Sequence, residues 1–154
     1  MRTFEDFMVG EVMLFGPVDI AAEDIKSFAE RFDPQPMHLD EDAEQNTVVS
    51  GMFASGLHTV CLHMRLLVDG VLRDSTSMGS PGMEEIRYLA PVRAGDRLTL
   101  RVEITSARPS RSRPDMGFVV FRCQMINACC TPVLELTGTA MFGRRSLAGI
   151  DRTT

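Results

Sequence analysis

The apolar positions between residues 23 and 32 repeat with a helical period. Four of them occupy the i, i+3, i+4 and i+7 positions of one face: Ile25, Phe28, Ala29 and Phe32. The pattern predicts an amphipathic helix. This helix must end near Asp33, because the residue before Pro34 is pushed out of the α-helical conformation.

A second helix is predicted over residues 55–68, and it is apolar on nearly every side. One face carries Leu57, Val60, Cys61, Met64, Leu67 and Val68, and Leu62 and Leu66 widen it. A helix of this kind is expected to be buried. Ser55 is a suitable N-cap and Gly70 a suitable stop. At 1.5 Å per residue the helix spans about 20 Å, which is too short to cross a bilayer.

The second half of the chain changes to a period of two, which is typical of strands. Leu98, Leu100, Val102 and Ile104 alternate with Arg97, Thr99, Arg101, Glu103 and Thr105. Further strands are predicted at 83–92, 117–128 and 133–143. One buried helix followed by a mostly antiparallel sheet is an α+β arrangement.

Composition narrows the class of protein. The chain has 154 residues, 44% of them apolar, which fits one domain over residues 1–154. Its 16 basic and 21 acidic residues give a net charge of −5, so a general attraction to nucleic acid or anionic lipid is not expected. No signal peptide, membrane span or CxxC pair is recognisable, and we therefore expect a cytoplasmic protein with reduced thiols.

The stretch "DPQPMHLD" places Asp33 and His38 five residues apart with Pro34 and Pro36 between them. On the residues alone two interpretations stay open: a polar loop, or a rigid frame for an acid/base pair, since imidazole exchanges protons near neutral pH. His58 and His63 are also five apart on a helix, which is not the spacing of an i, i+4 metal pair. We predict no metal site.

Three segments resemble one family. "FDPQPMHLDEDAE", "MFASGLHT" and "MEEIRYLAPVRAGDRLTL" are similar, in this order, to the MaoC-like acyl-CoA dehydratases, the (R)-specific enoyl-CoA hydratases. The resemblance covers about residues 4–145 and leaves 146–154 as an expected flexible tail. It implies a hot-dog fold, in which a curved antiparallel sheet wraps a central helix, and a homodimer or higher homo-oligomer with substrate tunnels at the subunit interface.

The resemblance also implies a site. The family's catalytic aspartate and histidine correspond to Asp33 and His38, and the glycine at the start of its central helix corresponds to Gly56. Ser55, which replaces the histidine of a frequent "AHG", is expected to contact the substrate or the oxyanion together with Gly56. Two further departures are Gln35 for a frequent Asn and Tyr88 for a frequent Trp.

The implied reaction is reversible addition of water to a trans-2-enoyl-CoA, giving a 3-hydroxyacyl-CoA. Asp33 and His38 would activate water, provided that burial raises the pKa of Asp33, and the Gly56 N–H would polarise the thioester carbonyl. No cofactor is expected, since coenzyme A is part of the substrate; an acyl carrier protein thioester is an alternative substrate.

Two other functions stay open: a hot-dog acyl-CoA thioesterase, and a non-catalytic subunit that binds acyl thioesters. Many hot-dog thioesterases carry an acidic residue on the central helix, whereas residues 55–68 contain no Asp or Glu. The presence of both Asp33 and His38 gives no support to the non-catalytic alternative.

Overall fold

The structure is a computed structural model that describes residues 1–42 and 49–145. Its helices are α1 (Ala22–Phe32), α2 (Pro36–Leu39) and α3 (Gly56–Leu67), with a 3-10 turn at Phe4–Asp6 and a π-helical turn at Val68–Leu72. Its strands are β1 (Val12–Asp19), β2 (Gly82–Tyr88), β3 (Arg97–Pro109), β4 (Met116–Ile126) and β5 (Pro132–Gly143). The predicted tail at 146–154 lies outside the described residues.

The strands form one five-stranded sheet in the order β1-β3-β4-β5-β2, with every neighbouring pair antiparallel. The alternation predicted for β3 is confirmed: Leu98, Leu100, Val102 and Ile104 are fully buried, and the residues between them are not. These side chains share one hydrophobic cluster with Val60 and Leu67 of α3. The α+β prediction is therefore confirmed, with α3 packed on one face of the sheet.

The first strand, β1, has no counterpart among the sequence predictions. It pairs with β3, but Gly16 and Pro17 interrupt its alternation and the register shifts between Phe15 and Val18. None of its residues is fully buried. An edge strand that contains a proline lacks the clean period of two by which β3 is recognised.

The face of α3 that is buried differs from the predicted one. His58, Thr59, Val60, His63 and Leu67 point into the protein. Three residues of the predicted apolar face are exposed instead: Leu57, Cys61 and Met64. A helix that is apolar on most sides does not indicate which sides the rest of the protein covers, and here the covered sides include both histidines.

Gly70 does not stop the helix as predicted. The chain continues past Leu67 into the π-helical turn, which contains Gly70. A Cβ at this position would lie 2.2 Å from the Phe15 ring, far inside van der Waals contact. Gly70 therefore allows β1 to pack closely against the end of the helix.

One edge of the sheet is left bare by the residues that the structure describes. All residues of β2 are exposed, among them the large apolar side chains of Met83, Ile86 and Tyr88. The neighbouring Leu57 and Met64 of α3 are exposed too.

Within residues 1–42 and 49–145, no helix combines the length and apolarity that a membrane span requires.

The buried His63 makes the stability of the fold depend on pH. Burial lowers the pKa of its imidazole from 6.5 to about 4. Between these two values the unfolded chain binds a proton that the folded chain does not, so the free energy of unfolding falls as the pH is lowered. We expect this group to remove between about 1 and 2 kcal/mol from pH 6.5 to pH 5.

Urea denaturation at both pH values, compared between the wild type and His63→Leu, measures this contribution. The variant should lose between about 1 and 2 kcal/mol less than the wild type over this range. An equal loss in both proteins would show that His63 does not remain neutral in the folded state.

Candidate active site

The end of α1 and the single turn of α2 set the spacing of Asp33 and His38. Asp33 is the C-cap residue of α1, as the sequence predicts, and its N–H donates to the carbonyl of Ala29. Pro36 then begins α2. Proline lacks a backbone N–H, and at the first position of a helix this N–H would have no intrahelical partner. His38 lies on the buried side of this turn. The two prolines thus separate a helix end from a helical turn.

The two side chains meet. His38 is 4% exposed, and its Nε2 lies 3.4 Å from Oδ2 of Asp33. Its Nδ1 lies 2.7 Å from the carbonyl oxygen of Phe53. A carbonyl only accepts, so Nδ1 carries the hydrogen and, in the neutral ring, Nε2 carries the lone pair. The histidine therefore presents a proton acceptor to the carboxyl group.

Asp33 is held as a carboxylate. The Ser55 hydroxyl donates to its Oδ2 at 2.7 Å, and the Gln35 amide donates to its Oδ1 at 2.7 Å. These two bonds, Ser55 first, and the nearby His38 lower the pKa of Asp33 against the opposing effect of burial. The rise of this pKa that was set as a condition for proton exchange by Asp33 does not occur, because its side chain is 21% exposed and donors to the charged form outweigh desolvation.

Ser55 joins the carboxylate to the central helix. It is the N-cap residue of α3, as predicted, and its Oγ accepts from the N–H of Leu57 at 3.3 Å while donating to Asp33. It is 1% exposed. Its single hydroxyl proton is thus engaged by Asp33. A direct contact between Ser55 and a substrate stays a prediction.

A cavity of about 370 Å³ opens at the same end of α3, with Phe53, Gly56, Thr59 and Tyr88 in its wall. A Cβ on Gly56 would lie 2.5 Å from the Tyr88 ring, so the missing side chain accommodates this tyrosine. The described lining residues do not include Asp33 or His38. Phe53 links this pair to the cavity: it lies in the cavity wall, and its carbonyl accepts from His38 Nδ1.

The other two histidines lie elsewhere on α3. The His58 ring stacks on Phe28, with centroids 4.8 Å apart and planes 7° from parallel. His63 is buried two turns beyond the Gly56 end. Within the part of the chain that the structure describes, no group of three or more His, Cys, Asp or Glu side chains is placed to hold a metal ion.

Two contributors to the site were missed in the sequence. The Phe53 carbonyl fixes the His38 tautomer, and no sequence signal could reveal it because every residue has a carbonyl. Gln35 was noted only as a departure from a family pattern, although its amide bonds Asp33. Its position two residues after an aspartate was an available signal.

The chain is similar to known proteins in sequence and in fold. The family model described as "MaoC like domain" matches residues 6–118. A protein of Rhodospirillum rubrum named (R)-specific enoyl-CoA hydratase is 31% identical over 128 residues, 79% of each chain. The crystal structure of the MaoC-like dehydratase from Rhodospirillum rubrum has a TM-score of 0.87 at 35% identity, covering 96% of this chain and 100% of that one.

The fold is also shared with a more distant structure. Rv0216 of Mycobacterium tuberculosis, described as having a double hotdog fold, aligns with a TM-score of 0.76 at 20% identity. The alignment covers 97% of this chain and 46% of that chain. The hot-dog fold implied by the sequence resemblance is confirmed.

The hydrogen bond from Ser55 should control the ionisation of Asp33. Ser55→Ala removes the largest of the causes that lower the pKa of this carboxyl, so we expect that pKa to rise. Gln35→Ala removes a smaller one and should raise it less. The pH dependence of the side-chain carboxyl ¹³C shift of Asp33 measures both. An unchanged pKa in Ser55→Ala would mean that another group holds the carboxylate.

Proposed function

Because the chain belongs to the MaoC-like family, we propose that it is an acyl-CoA hydratase/dehydratase. It would add water reversibly to a trans-2-enoyl-CoA and give a 3-hydroxyacyl-CoA. The observation that carries the proposal is the convergence of Asp33, His38 and Ser55 at the N-terminus of the central helix. Family membership supports a hydratase or dehydratase in general, and the residue roles rest on this geometry.

The two catalytic groups can share one water molecule, which lies beside them because Nε2 and Oδ2 are only 3.4 Å apart. In its neutral form His38 presents a lone pair on Nε2, and Asp33 presents an anionic oxygen to the same space. Nε2 and Oδ2 are both acceptors, so a partner that they share has to be a donor, and one water molecule can donate a hydrogen to each. Its oxygen lone pairs then point away from both residues, where the β-carbon of an enoyl thioester could approach.

We assign the proton transfers in the same way. His38 Nε2 removes one proton from the water while the oxygen forms its bond to C3 of the substrate. The adjacent carboxylate of Asp33 stabilises the imidazolium that results, and the imidazolium returns the proton to C2. One O–H bond of the water and the C2–C3 π bond of the substrate break, and one C–O bond and one C–H bond form, so the steps need only groups of the protein and the water. In the dehydration direction they run in reverse.

The third requirement is a place for negative charge on the thioester oxygen. The first N–H groups of a helix have no intrahelical partner, and the helix dipole makes this end positive. Gly56 is the first residue of α3 and lines the cavity. A preorganised donor in such a position lowers a barrier by roughly 3–4 kcal/mol. We therefore assign the oxyanion contact to the Gly56 N–H.

The proposal includes a second copy of the chain. The exposed edge strand β2 carries Met83, Ile86 and Tyr88, and α3 exposes Leu57 beside it. An apolar sheet edge with unpaired backbone groups is a surface that another strand can cover. Pairing of two β2 strands would form a homodimer and enclose the cavity at Tyr88.

Location in the cytoplasm stays a prediction.

Loss of either catalytic group should suppress turnover. Asp33→Asn and His38→Ala are each expected to reduce the rate of crotonyl-CoA hydration by at least about 10²-fold, the amount that general acid/base groups contribute. The assay follows the absorbance of the conjugated thioester, and a thiol reagent detects free coenzyme A in parallel. Asp40→Asn is the matched control, since the side chain of this exposed aspartate accepts from the N–H of Asp42 and has no part in the proposed steps.

Each outcome separates the candidate functions. Loss of absorbance without thiol release supports hydration, and thiol release supports the thioesterase. If the wild-type protein gives neither signal, the result supports the non-catalytic binding subunit. Wild-type rates in Asp33→Asn or in His38→Ala would remove the proposed roles of these residues.

The dimer can be tested on the β2 surface. Ile86→Glu places a charge on the exposed edge strand, and we expect sedimentation to report a single chain in this variant and two chains in the wild type. Leu14→Glu is the control, because Leu14 is 65% exposed on β1, at the opposite edge of the sheet. A wild-type monomer, or a dimer that Leu14→Glu dissociates and Ile86→Glu does not, would contradict the proposed interface.

A further inference from the structure

Thr59 is a buried residue of α3 whose hydroxyl group has no partner among the described residues. The residue is 3% exposed, and its N–H donates to the carbonyl of Ser55. Its side chain makes no hydrogen bond to any residue that the structure describes. A buried hydroxyl normally has a partner, because otherwise the group loses its hydration without a bond in return. The proposed catalytic steps give Thr59 no task.

The unpaired hydroxyl faces open space. Among the described residues, the unpaired side-chain atoms that are closed to water are nitrogens of His58 and His63, and the Thr59 oxygen is not one of them. Thr59 lines the cavity of about 370 Å³ at Gly56. The other described lining residues are apolar apart from Tyr88, which is 55% exposed and reaches water. Thr59 therefore supplies the one buried polar side chain of the described cavity wall.

The position of the catalytic pair determines which half of a substrate occupies this cavity. Asp33 and His38 are not among its described lining residues, whereas Gly56 is. With the thioester carbonyl at the Gly56 N–H, the carbons C2 and C3 extend to the water that Asp33 and His38 share. The sulfur leaves the carbonyl carbon in a different direction, since the two substituents of a carbonyl carbon point away from each other. The cavity therefore takes the arm that begins at the sulfur.

The first polar group of that arm comes within reach of Thr59. In coenzyme A, and in the arm that an acyl carrier protein bears, two methylene groups join the sulfur to an amide. Thr59 follows Gly56 by three residues, which places it on the same face of α3 and about 4.5 Å further along the axis. The sulfur and the two methylene groups cover a comparable distance.

We propose that the Thr59 hydroxyl binds this amide and thereby selects thioesters whose arm carries it, an inference that rests on the proposed function. A hydroxyl both donates and accepts, and a secondary amide has one N–H and one carbonyl. An amide that entered this largely apolar cavity without a partner would be destabilised by the loss of its hydration. The contact involves the arm alone, so it serves acyl groups of any length.

Binding of saturated, unreactive thioesters tests the inference without requiring turnover. Calorimetry compares butyryl-CoA with an analogue in which two methylene groups replace the nitrogen and the carbonyl of this amide. The measured quantity is the ratio of the two dissociation constants, analogue over butyryl-CoA. Thr59→Val keeps the shape of the side chain without the hydroxyl, and we expect it to lower this ratio about five- to tenfold, the amount that one hydrogen bond contributes.

Two further variants serve as controls. Thr59→Ser keeps the hydroxyl and should retain most of the wild-type ratio. Thr105→Val removes a hydroxyl of β3 that bonds the carbonyl of Val120 outside the described cavity wall, and it should leave the ratio unchanged. Thr59→Ala takes the place of Thr59→Val if circular dichroism shows that the valine variant does not fold.

The outcomes are distinct. A wild-type ratio that persists in Thr59→Val, a ratio that falls equally in Thr59→Ser, or a wild type that binds neither thioester overturns the inference. Hydration of crotonyl-CoA by the wild type reports on the proposed function alone. Turnover with an unchanged ratio in Thr59→Val removes the inference and keeps the proposed function, whereas a lowered ratio without any turnover does the opposite.

Discussion

The hydrogen bond from Ser55 to Asp33 is the contact on which the candidate site depends. It joins two parts of the chain that are 22 residues apart, the end of α1 and the beginning of α3. The same Ser55 oxygen accepts from the Leu57 N–H and thereby caps the helix. One hydroxyl thus keeps the carboxylate ionised and fixes it beside the positive end of the helix dipole. The electrostatics of the site and the start of the central helix have a common cause.

The remaining geometry follows from how the fold surrounds α3. The sheet covers one side of the helix, and α1 and α2 bring the catalytic side chains to its N-terminus. His38 is buried and anchored by a backbone carbonyl, so its orientation does not depend on a mobile partner. Asp33 is less buried and relies on two side-chain donors. A rigid histidine and a tuned carboxylate are well suited to share one water molecule.

Local signals were sufficient for much of this architecture. Pro34 defines the end of α1, Ser55 defines the start of α3, and strict alternation defines β3. The side of α3 that is buried could not be predicted, because an apolar residue such as Leu57 and a polar one such as His63 occupy the sides opposite to those that hydrophobicity favours. The direction of the Asp33 pKa shift could not be predicted for a related reason. Its donors are Ser55, which is brought close by tertiary structure, and Gln35, whose side-chain direction the sequence does not encode. Asp33, His38 and Gly56 were selected by family resemblance and not by periodicity.

The contact between Gly56 and Tyr88 links two positions that lie 32 residues apart in the chain. The tyrosine ring fills the volume that a side chain on residue 56 would need. A larger side chain at position 56 therefore requires a smaller one at position 88. Homologues with a bulkier helix start should therefore carry a smaller residue at position 88. A library that aims to reshape the mouth of the cavity has to vary both positions together, because variants altered at residue 56 alone would be lost to steric overlap.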